Sequence, residues 1–194
     1  MAASVFVTGG TGYIGRRVVE ALRQIVAGNP FDRATFSDAI SEGDTCLQLL
    51  GVPHPSPAKA QQFIDIDLRS ATESIAAASA RGAGHFVYVS VAQPAPVMQA
   101  YQAARAQAER LLVASGLRRT IVRPWYMLGP GHRWPYVLLP VYSVLERVPS
   151  TRESARRLGL VTIDQMVAAL VETIEHPPQR ERIVEVPEIR LGNG

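Results

Sequence analysis

The sequence predicts an α/β fold, a single doubly wound parallel sheet with helices on both faces. Short apolar, β-branched runs alternate with segments whose apolar residues recur at helical spacing, and this alternation continues along the whole chain. Such alternation is typical of a parallel sheet covered on both faces. The chain has 194 residues, 47% hydrophobic and 19% charged, which is enough for one domain with a sizeable core.

The elements follow one another in a regular order. The apolar runs predict strands at residues 4–8, 24–27, 45–50, 86–91, 120–123 and 183–186. The helical spacing predicts helices at residues 13–22, from residue 32, at 58–80, at 101–115 and at 166–174. Gly116 is a predicted helix stop, and Thr162 with Gln165 has the pattern of a capping box.

One junction between predicted elements is unusual. The first helix runs into the strand at 24–27 with no Gly, Pro, Asn or Asp between Arg16 and Gly28, although a chain reversal usually needs such a residue. Either the helix ends near Arg23 without one, or a segment is absent, and we favour the second explanation. The predicted sheet therefore lacks its second strand segment, which would lie between the first helix and the strand at 24–27.

Composition excludes several function classes. No apolar run reaches the ~18 residues needed to cross a bilayer, and the amino terminus lacks the basic region of a signal peptide. The net charge is only +3 and the arginines are scattered, which argues against nucleic-acid binding. Cys46 is the single cysteine, as expected for a reducing compartment, so we expect a cytoplasmic protein. No cluster of ligands has metal-site spacing.

A glycine-rich turn follows the first predicted strand and opens the first helix. Gly9, Gly12 and Gly15 stand three apart, where Gly9 allows a sharp turn, Gly12 a close approach to a diphosphate, and Gly15 close packing of helix on strand. The amino end of the helix would present free N–H groups to the phosphates. The alternative is a glycine-rich turn with no ligand, but the strand before and the helix after favour dinucleotide binding.

The segment 8–15 resembles the TGxxGxxG fingerprint of the short-chain dehydrogenase/reductase superfamily. It is nearest to the extended and atypical branches, which include NAD-dependent epimerase/dehydratases and NmrA-like proteins. The resemblance covers essentially the whole chain and implies a Rossmann-type domain over residues 1–194, with a substrate-side region from about residue 125. It implies NAD or NADP as cofactor, bound by Gly9, Thr11, Gly12, Tyr13, Ile14, Gly15, Asn29, Gly51 and Pro124.

Three of these positions match separate family segments. Asn29 stands where an acidic residue usually faces adenine, Gly51 follows the strand that reaches the adenosine side, and Pro124 belongs to the Arg-Pro pair that borders the nicotinamide. The family's second strand, which carries the residue that reads the ribose, has no match here. The choice between NAD and NADP is therefore open. Arg16 and Arg17 either reach a 2′-phosphate or are ordinary exposed helix residues.

The candidate catalytic residues are Ser90, Tyr101 and Arg105. Ser90 ends a predicted strand, so it lies at the carboxyl edge of the sheet, and Tyr101 and Arg105 are four apart on one helix face. In the family, a Ser holds the substrate oxygen, a Tyr exchanges a proton with it, and a Lys lowers the tyrosine pKa and binds ribose. Here Arg105 replaces that lysine, and Lys59, the only lysine, lies elsewhere.

Arg105 could supply only part of the lysine role. A guanidinium ~5 Å from the phenol, at an effective dielectric of ~20, would lower the pKa of Tyr101 by ~2 units. Arginine stays charged, so it cannot relay a proton, although its fork could bind ribose hydroxyls. In the alternative, Arg105 pairs with Glu109 on the helix surface and Tyr101 packs on the helix flank.

The loop that follows the predicted strand at 120–123 would lie over the same carboxyl edge of the sheet. Trp125, His132 and Arg133 would suit an apolar or aromatic substrate with an anionic group, whereas in the alternative Trp125 and Trp134 cover the end of the core. His54, a loop histidine among prolines, is a weaker candidate for ligand contact.

Two functions remain open from the sequence. The first is an NAD(P)-dependent oxidoreductase or epimerase/dehydratase acting on a small carbonyl or alcohol, with Tyr101 as acid/base. The second is an NmrA-like regulatory or assembly protein that binds the nucleotide without turnover, which the lysine-to-arginine difference favours. By analogy with relatives, a homodimer would pair through residues 67–80 and 101–115.

Overall fold

The computed structural model describes residues 4–19, 28–129 and 156–191. Strands are β1 (Val5–Thr8), β2 (Thr45–Gln48), β3 (His85–Val89), β4 (Arg119–Arg123), β5 (Tyr126–Leu128), β6 (Leu160–Thr162) and β7 (Glu181–Glu185). Helices are α1 (Gly15–Val19), α2 (Ala60–Gln62), α3 (Arg69–Ala80), α4 (Gln99–Ala114), α5 (Ile163–Glu175) and α6 (Val186–Leu191). A π-helical segment, Phe63–Leu68, joins α2 to α3.

The strands form a five-stranded parallel sheet in the order β1-β2-β3-β4-β7. A separate parallel pair, β5 and β6, lies after the fourth strand of that sheet. The predicted α/β class with a parallel sheet is confirmed. Residues 20–27, which carry the predicted strand 24–27 and the unusual junction, lie outside the described residues. Among the described strands, β1 pairs only with β2.

Both faces of the sheet are buried, as the continuous apolar character of the strands requires. Successive side chains of a strand point to opposite faces, so Phe86 and Tyr88 pack in one apolar cluster while Val87 and Val89 pack in another. The first cluster includes Ala71, Ile75, Ala78, Ala108 and Leu112 of α3 and α4, and the second includes Met166, Ala169, Leu170 and Ile189 of α5 and α6.

The helix boundaries follow local sequence signals. Thr162 accepts a hydrogen bond from Gln165 N while the Gln165 side chain accepts one from Thr162 N, so the predicted capping box is confirmed. Gly116 has φ +74° just past the end of α4, a conformation that glycine adopts without strain. The predicted helix 58–80 is interrupted by the π-helical segment, and α1 begins at Gly15 rather than at residue 13.

The carboxyl ends of the strands meet at one edge of the sheet. Leu49 N donates to Thr8 O at 2.9 Å and Ser90 N donates to Val122 O at 2.8 Å, so the chain segments that follow β1, β2, β3 and β4 leave the sheet side by side. Open α/β sheets bind their ligands at this edge. The fold therefore brings the glycine turn, Gly51, Ser90 and Pro124 to the same side of the molecule.

Within the described ranges, no helix combines the length and apolar character needed to cross a membrane. The same residues contain no group of three or more His, Cys, Asp and Glu that could hold a metal ion. Cys46 is buried in the sheet, and burial raises the pKa of its thiol to about 12. The thiol therefore stays protonated and serves as a core side chain.

His85 makes stability depend on pH. It is 2% exposed, its Nε2 lies 2.9 Å from Thr120 Oγ1, and burial, with a smaller effect of the Arg118 charge, lowers its pKa from 6.5 to about 4. Between those values the unfolded chain binds a proton that the folded chain does not. The stabilisation is thus complete above pH 6.5 and is lost as the pH falls to 4, by up to ~3 kcal/mol.

Urea unfolding from pH 7 to pH 4 tests this prediction. His85→Gln removes the titrating group, so the variant should lose ~3 kcal/mol less stability over that range than the original chain. His176→Gln, which changes an exposed histidine, serves as the matched control. Parallel losses in the original chain and His85→Gln would show that His85 is not held neutral in the folded protein.

Candidate functional site

The glycine turn is shaped by close backbone contacts. Gly9 has φ +82°, and a Cβ there would lie 2.7 Å from Leu50 N, in the segment after β2. Gly12 N donates to Gly9 O at 3.0 Å and closes the turn. A Cβ on Gly15 would overlap Gly9 O and lie 2.7 Å from Gly10 Cα. Gly9 and Gly15 are therefore required by the fold itself, one for conformation and one for packing.

Gly12 differs from the other two glycines. Among the described residues, a Cβ at Gly12 would meet only Gly9 O within 4 Å, at a tight 3.1 Å. A side chain here would need Gly9 O to give by a few tenths of an ångström, but the rest of this side of the turn is open among the described residues. An open face on a turn of backbone amides is the feature that lets a diphosphate approach closely.

The remaining predicted residues of the turn have different environments. Thr11 is exposed and its carbonyl accepts from Arg16 Nε at 2.7 Å. Ile14 packs against the cluster under α5, which is the apolar cluster that includes Met166 and Leu170. The Tyr13 hydroxyl lies directly against Gly129, where a Cβ would overlap it. Tyr13 thus spans from the glycine turn to the segment after β5.

The predicted cofactor residues outside the turn lie at the same edge or beyond it. Asn29 is exposed, and its Oδ1 accepts from Phe31 N at 3.0 Å. Pro124 is buried, and its carbonyl accepts from Ala92 N at 2.9 Å. Gly51 faces inward, since a Cβ there would overlap the Arg105 guanidinium and lie 3.1 Å from Asp67 Oδ1.

Both arginines considered for a 2′-phosphate already have protein partners. Arg16 bonds the Thr11 carbonyl, and Arg17 Nη1 lies 3.5 Å from Asp164 Oδ1 of α5. These contacts are exposed, so they leave the nucleotide preference open.

Ser90 is placed directly after β3. Its side chain is buried with 3% of the residue exposed, and its Oγ has no hydrogen-bond partner among the described residues. A buried hydroxyl without a partner costs on the order of 1–3 kcal/mol. Such a group at the ligand-binding edge of the sheet is a candidate to bind the oxygen of a ligand.

Arg105 is buried at the same edge. Its Nη1 donates to Val89 O at 2.7 Å and to Tyr88 Oη at 3.5 Å, and its Nη2 donates to Asp67 Oδ1 at 2.5 Å. The guanidinium lies 5.1 Å from the Tyr101 ring centroid and 5.7 Å from the Tyr88 ring centroid. Both Nη atoms are thus committed to acceptors within the protein.

Asp67 is the residue that sequence analysis missed. It lies in the π-helical segment, is 1% exposed, and its Oδ2 accepts from Val52 N at 3.0 Å. Burial raises its pKa, while Arg105 and the Val52 amide oppose that rise. The available signal was its spacing: Phe63, Asp67 and Ala71 stand four apart on the buried side of the predicted helix, which leaves one carboxylate among apolar residues.

Tyr101 is half-buried beside this pair. Its ring lies 5.0 Å from that of Phe63, in a small apolar cluster that includes Val52 and Ala104. Burial raises the pKa of Tyr101, and the lowering effect of Arg105 does not outweigh it. We expected Arg105 to lower the pKa of Tyr101. This expectation is wrong, because desolvation of the phenol raises the pKa by more than the Arg105 charge lowers it.

The alternative prediction, an ion pair between Arg105 and Glu109, is also wrong. Glu109 accepts from Arg123 Nε at 3.1 Å and from Arg123 Nη2 at 2.6 Å, and also from Gln93 Nε2 at 2.9 Å. These contacts join α4 to the end of β4 and to the loop after Ser90. Helix geometry makes residues four apart neighbours, but the Arg105 guanidinium is paired instead with the buried carboxylate of Asp67.

The residues predicted for the substrate side are only partly described. Trp125 is half-buried, packs against the cluster under α5, and contacts the Tyr126 ring edge-on at 5.3 Å between centroids. His132, Arg133 and Trp134 lie outside the described residues. His54 is exposed with φ +50°, and its carbonyl accepts from Lys59 Nζ at 3.0 Å.

Comparison with known proteins supports the fold. No family model matches the chain. No curated protein matches it either. Among solved structures, a short-chain dehydrogenase/reductase superfamily protein from Agrobacterium tumefaciens with bound NAD superposes with a TM-score of 0.67 at 18% identity, covering 94% of this chain and 77% of its own.

Two further structures give similar values. UDP-N-acetylglucosamine 4-epimerase from Bacillus cereus has a TM-score of 0.68 at 14% identity, covering 95% of this chain and 78% of its own. RMD from Pseudomonas aeruginosa, complexed with NADPH, has a TM-score of 0.65 at 18% identity, with 94% and 75% covered. The predicted resemblance is confirmed at the level of fold: the chain has the Rossmann-type architecture of short-chain dehydrogenase/reductase and epimerase proteins.

The buried Asp67–Arg105 ion pair is expected to contribute strongly to the free energy of unfolding. Asp67→Asn leaves the Arg105 charge buried without a counter-ion and should lower the free energy of unfolding by ~3 kcal/mol at pH 7. Asp38→Asn removes the exposed partner of Arg81, at 3.5 Å with the Asp38 side chain 91% exposed, and should change stability little. Urea unfolding of both variants measures the difference, and equal, small effects would contradict it.

Proposed function

We propose that this protein binds NAD or NADP at the carboxyl edge of its sheet and acts as an oxidoreductase, or an epimerase/dehydratase-type enzyme, on a small carbonyl or alcohol. The observation that carries the proposal is the pairing of the open face at Gly12 with the unpartnered Ser90 hydroxyl at one sheet edge. Structures of similar fold, complexed with NAD or NADPH, support it.

The residues present fit such a cofactor. The turn from Gly9 to Gly15 would hold the diphosphate, with Gly12 leaving it room. Asn29 would lie on the adenine side, and Gly51 and Pro124 along the path to the nicotinamide. β1 and β3 are separated by one strand, about 10 Å at usual strand spacing, which a dinucleotide laid across the edge can span.

Ser90 and Tyr101 would handle the substrate oxygen. A bound nicotinamide would supply or accept the hydride. Ser90 Oγ, which has no hydrogen-bond partner among the described residues, would donate to that oxygen and orient it. Because burial raises the pKa of Tyr101, its phenol is protonated at neutral pH and would give its proton to the oxygen during reduction. Solvent would then return a proton to the phenolate.

The substrate side would begin near residue 125. Trp125 would supply an aromatic ring, His132 an imidazole and Arg133 a guanidinium, a set that suits an apolar or aromatic small molecule with an anionic group. In this proposal the protein works in the cytoplasm.

A homodimer through α3 and α4 belongs to the same proposal. The groove between these helices has a volume of about 370 Å³ and is lined by Ile75, Ala76, Leu111 and neighbouring small residues. Leu111 is 37% exposed, so an apolar side chain is available to a second copy.

Gly12→Val is expected to weaken nucleotide binding in a chain that still folds after Gly9 O gives by a few tenths of an ångström. The side chain would fill the open face of the turn, where only Gly9 O lies nearby. Titration with NADH and NADPH should show affinity lowered by about tenfold or more, a loss of ~1.4 kcal/mol or greater.

Gly43→Ala is the control for general destabilisation. Gly43 has φ +84° with nothing within 4 Å of a Cβ, so the variant is strained without touching the proposed site. It should unfold at lower temperature and bind nucleotide normally. Unchanged affinity in Gly12→Val would remove the diphosphate site from the proposal.

Tyr101→Phe is expected to abolish turnover on any carbonyl substrate that a panel with NADH or NADPH identifies, with nucleotide affinity nearly unchanged. Tyr88→Phe is the matched control, because Tyr88 also contacts Arg105 but is fully buried. Equal losses in both variants would indicate an effect through Arg105 rather than proton transfer by Tyr101. Nucleotide binding without turnover on any substrate would indicate a regulatory protein instead.

A further inference from the structure

The Asp67–Arg105 ion pair connects two chain segments that leave the sheet at its carboxyl edge. Asp67 Oδ2 accepts from Val52 N, at 3.0 Å, in the segment after β2. Arg105 Nη1 donates to Val89 O, at 2.7 Å, the last residue of β3 before Ser90. The ion pair itself, Nη2 to Oδ1 at 2.5 Å, closes the connection between the two.

The pair is enclosed by protein on the sides the structure describes. The Arg105 side chain is 6% exposed and that of Asp67 is fully buried. Gly51 lies against the guanidinium so closely that a Cβ there would overlap it. The rings of Tyr101 and Tyr88 lie within 6 Å of it. The guanidinium thus lies beneath the backbone of the proposed nucleotide site.

We propose that Asp67 and Arg105 are a positioning pair, which sets the spacing between the Gly51–Val52 backbone and the Val89–Ser90 backbone without itself contacting the nucleotide. This inference rests on the proposed function, since these two segments would line the path of the dinucleotide. It assigns Arg105 a different task from ribose binding.

Arginine suits this task better than lysine. A guanidinium is planar and presents donors in a fixed fork, so one side chain bonds a carboxylate and a backbone carbonyl at a fixed separation. A lysine ammonium is a point charge on a flexible stem and does not define that separation. The carboxylate of Asp67 therefore gives a physical reason for arginine at position 105.

A double-mutant cycle tests the proposal against direct ribose binding by Arg105. Asp67→Asn, Arg105→Met and the double variant are titrated with NADH and NADPH, and urea unfolding is measured in parallel. If the two residues act as a unit, each single variant weakens binding by about tenfold or more, and the double variant is no weaker than the weaker single. Asp38→Asn serves as the surface control and should bind normally.

Stability separates positioning from a merely structural role. Replacing a buried ion pair by neutral residues often restores stability that a single substitution loses. We expect the double variant to regain stability relative to the single variants and to remain weak in nucleotide binding. Recovery of affinity together with stability would overturn the proposal. So would an Asp67→Asn variant that binds normally while Arg105→Met does not.

Arg105→Lys provides a test in a variant that keeps the charge beside Asp67. A positioning role predicts weaker nucleotide binding, because the fork to Val89 O is lost, whereas ribose binding predicts equal or tighter binding. Failure of the unmodified protein to bind NADH or NADPH would overturn the proposed function and this inference together. Normal binding by the unmodified protein and by Arg105→Lys would overturn the inference alone.

Discussion

A guanidinium buried between a parallel sheet and its helices needs a counter-charge, and that requirement organises the carboxyl edge of this protein. The charge of Arg105 is stabilised by Asp67, a backbone carbonyl and two aromatic rings. Removing either partner would leave an uncompensated charge in the interior. The pair also bonds the backbone of the segment after β2 and the last residue of β3, so the electrostatic requirement becomes a geometric one. The segments that would line a nucleotide are held by the same contacts that neutralise the charge.

The same arrangement changes the chemistry expected from the family pattern. A lysine at position 105 would leave a flexible cation near the phenol, whereas the arginine is committed to Asp67 and Val89. Tyr101 packs against Phe63, and burial raises its pKa despite the nearby charge. Its protonated form is thus the dominant one at neutral pH, which suits a proton donor better than a base. Ser90 remains the one residue of the candidate catalytic set that is buried with an unpartnered hydroxyl among the described residues.

Local features were largely predictable from sequence, because each depends on residues close together in the chain. The parallel α/β class, the strand over residues 86–91, the capping box of Thr162 and Gln165, and the turn at Gly9 all follow from short patterns. The spacing of Asp67 places one carboxylate on the buried side of a helix, but it does not identify the partner, which lies thirty-eight residues away.

Alone, the sequence determined which segments become strands and helices and where the backbone must turn, since φ preferences and apolar periodicity act over a few residues. Only the tertiary structure decided which charges meet. Arg105 has Glu109 as its helical neighbour, yet Arg105 forms its ion pair with Asp67. Glu109 forms its ion pair with Arg123. The physical reason is that burial makes an unpaired charge costly, so partners are chosen by proximity across packed elements, which spacing along one helix does not reveal.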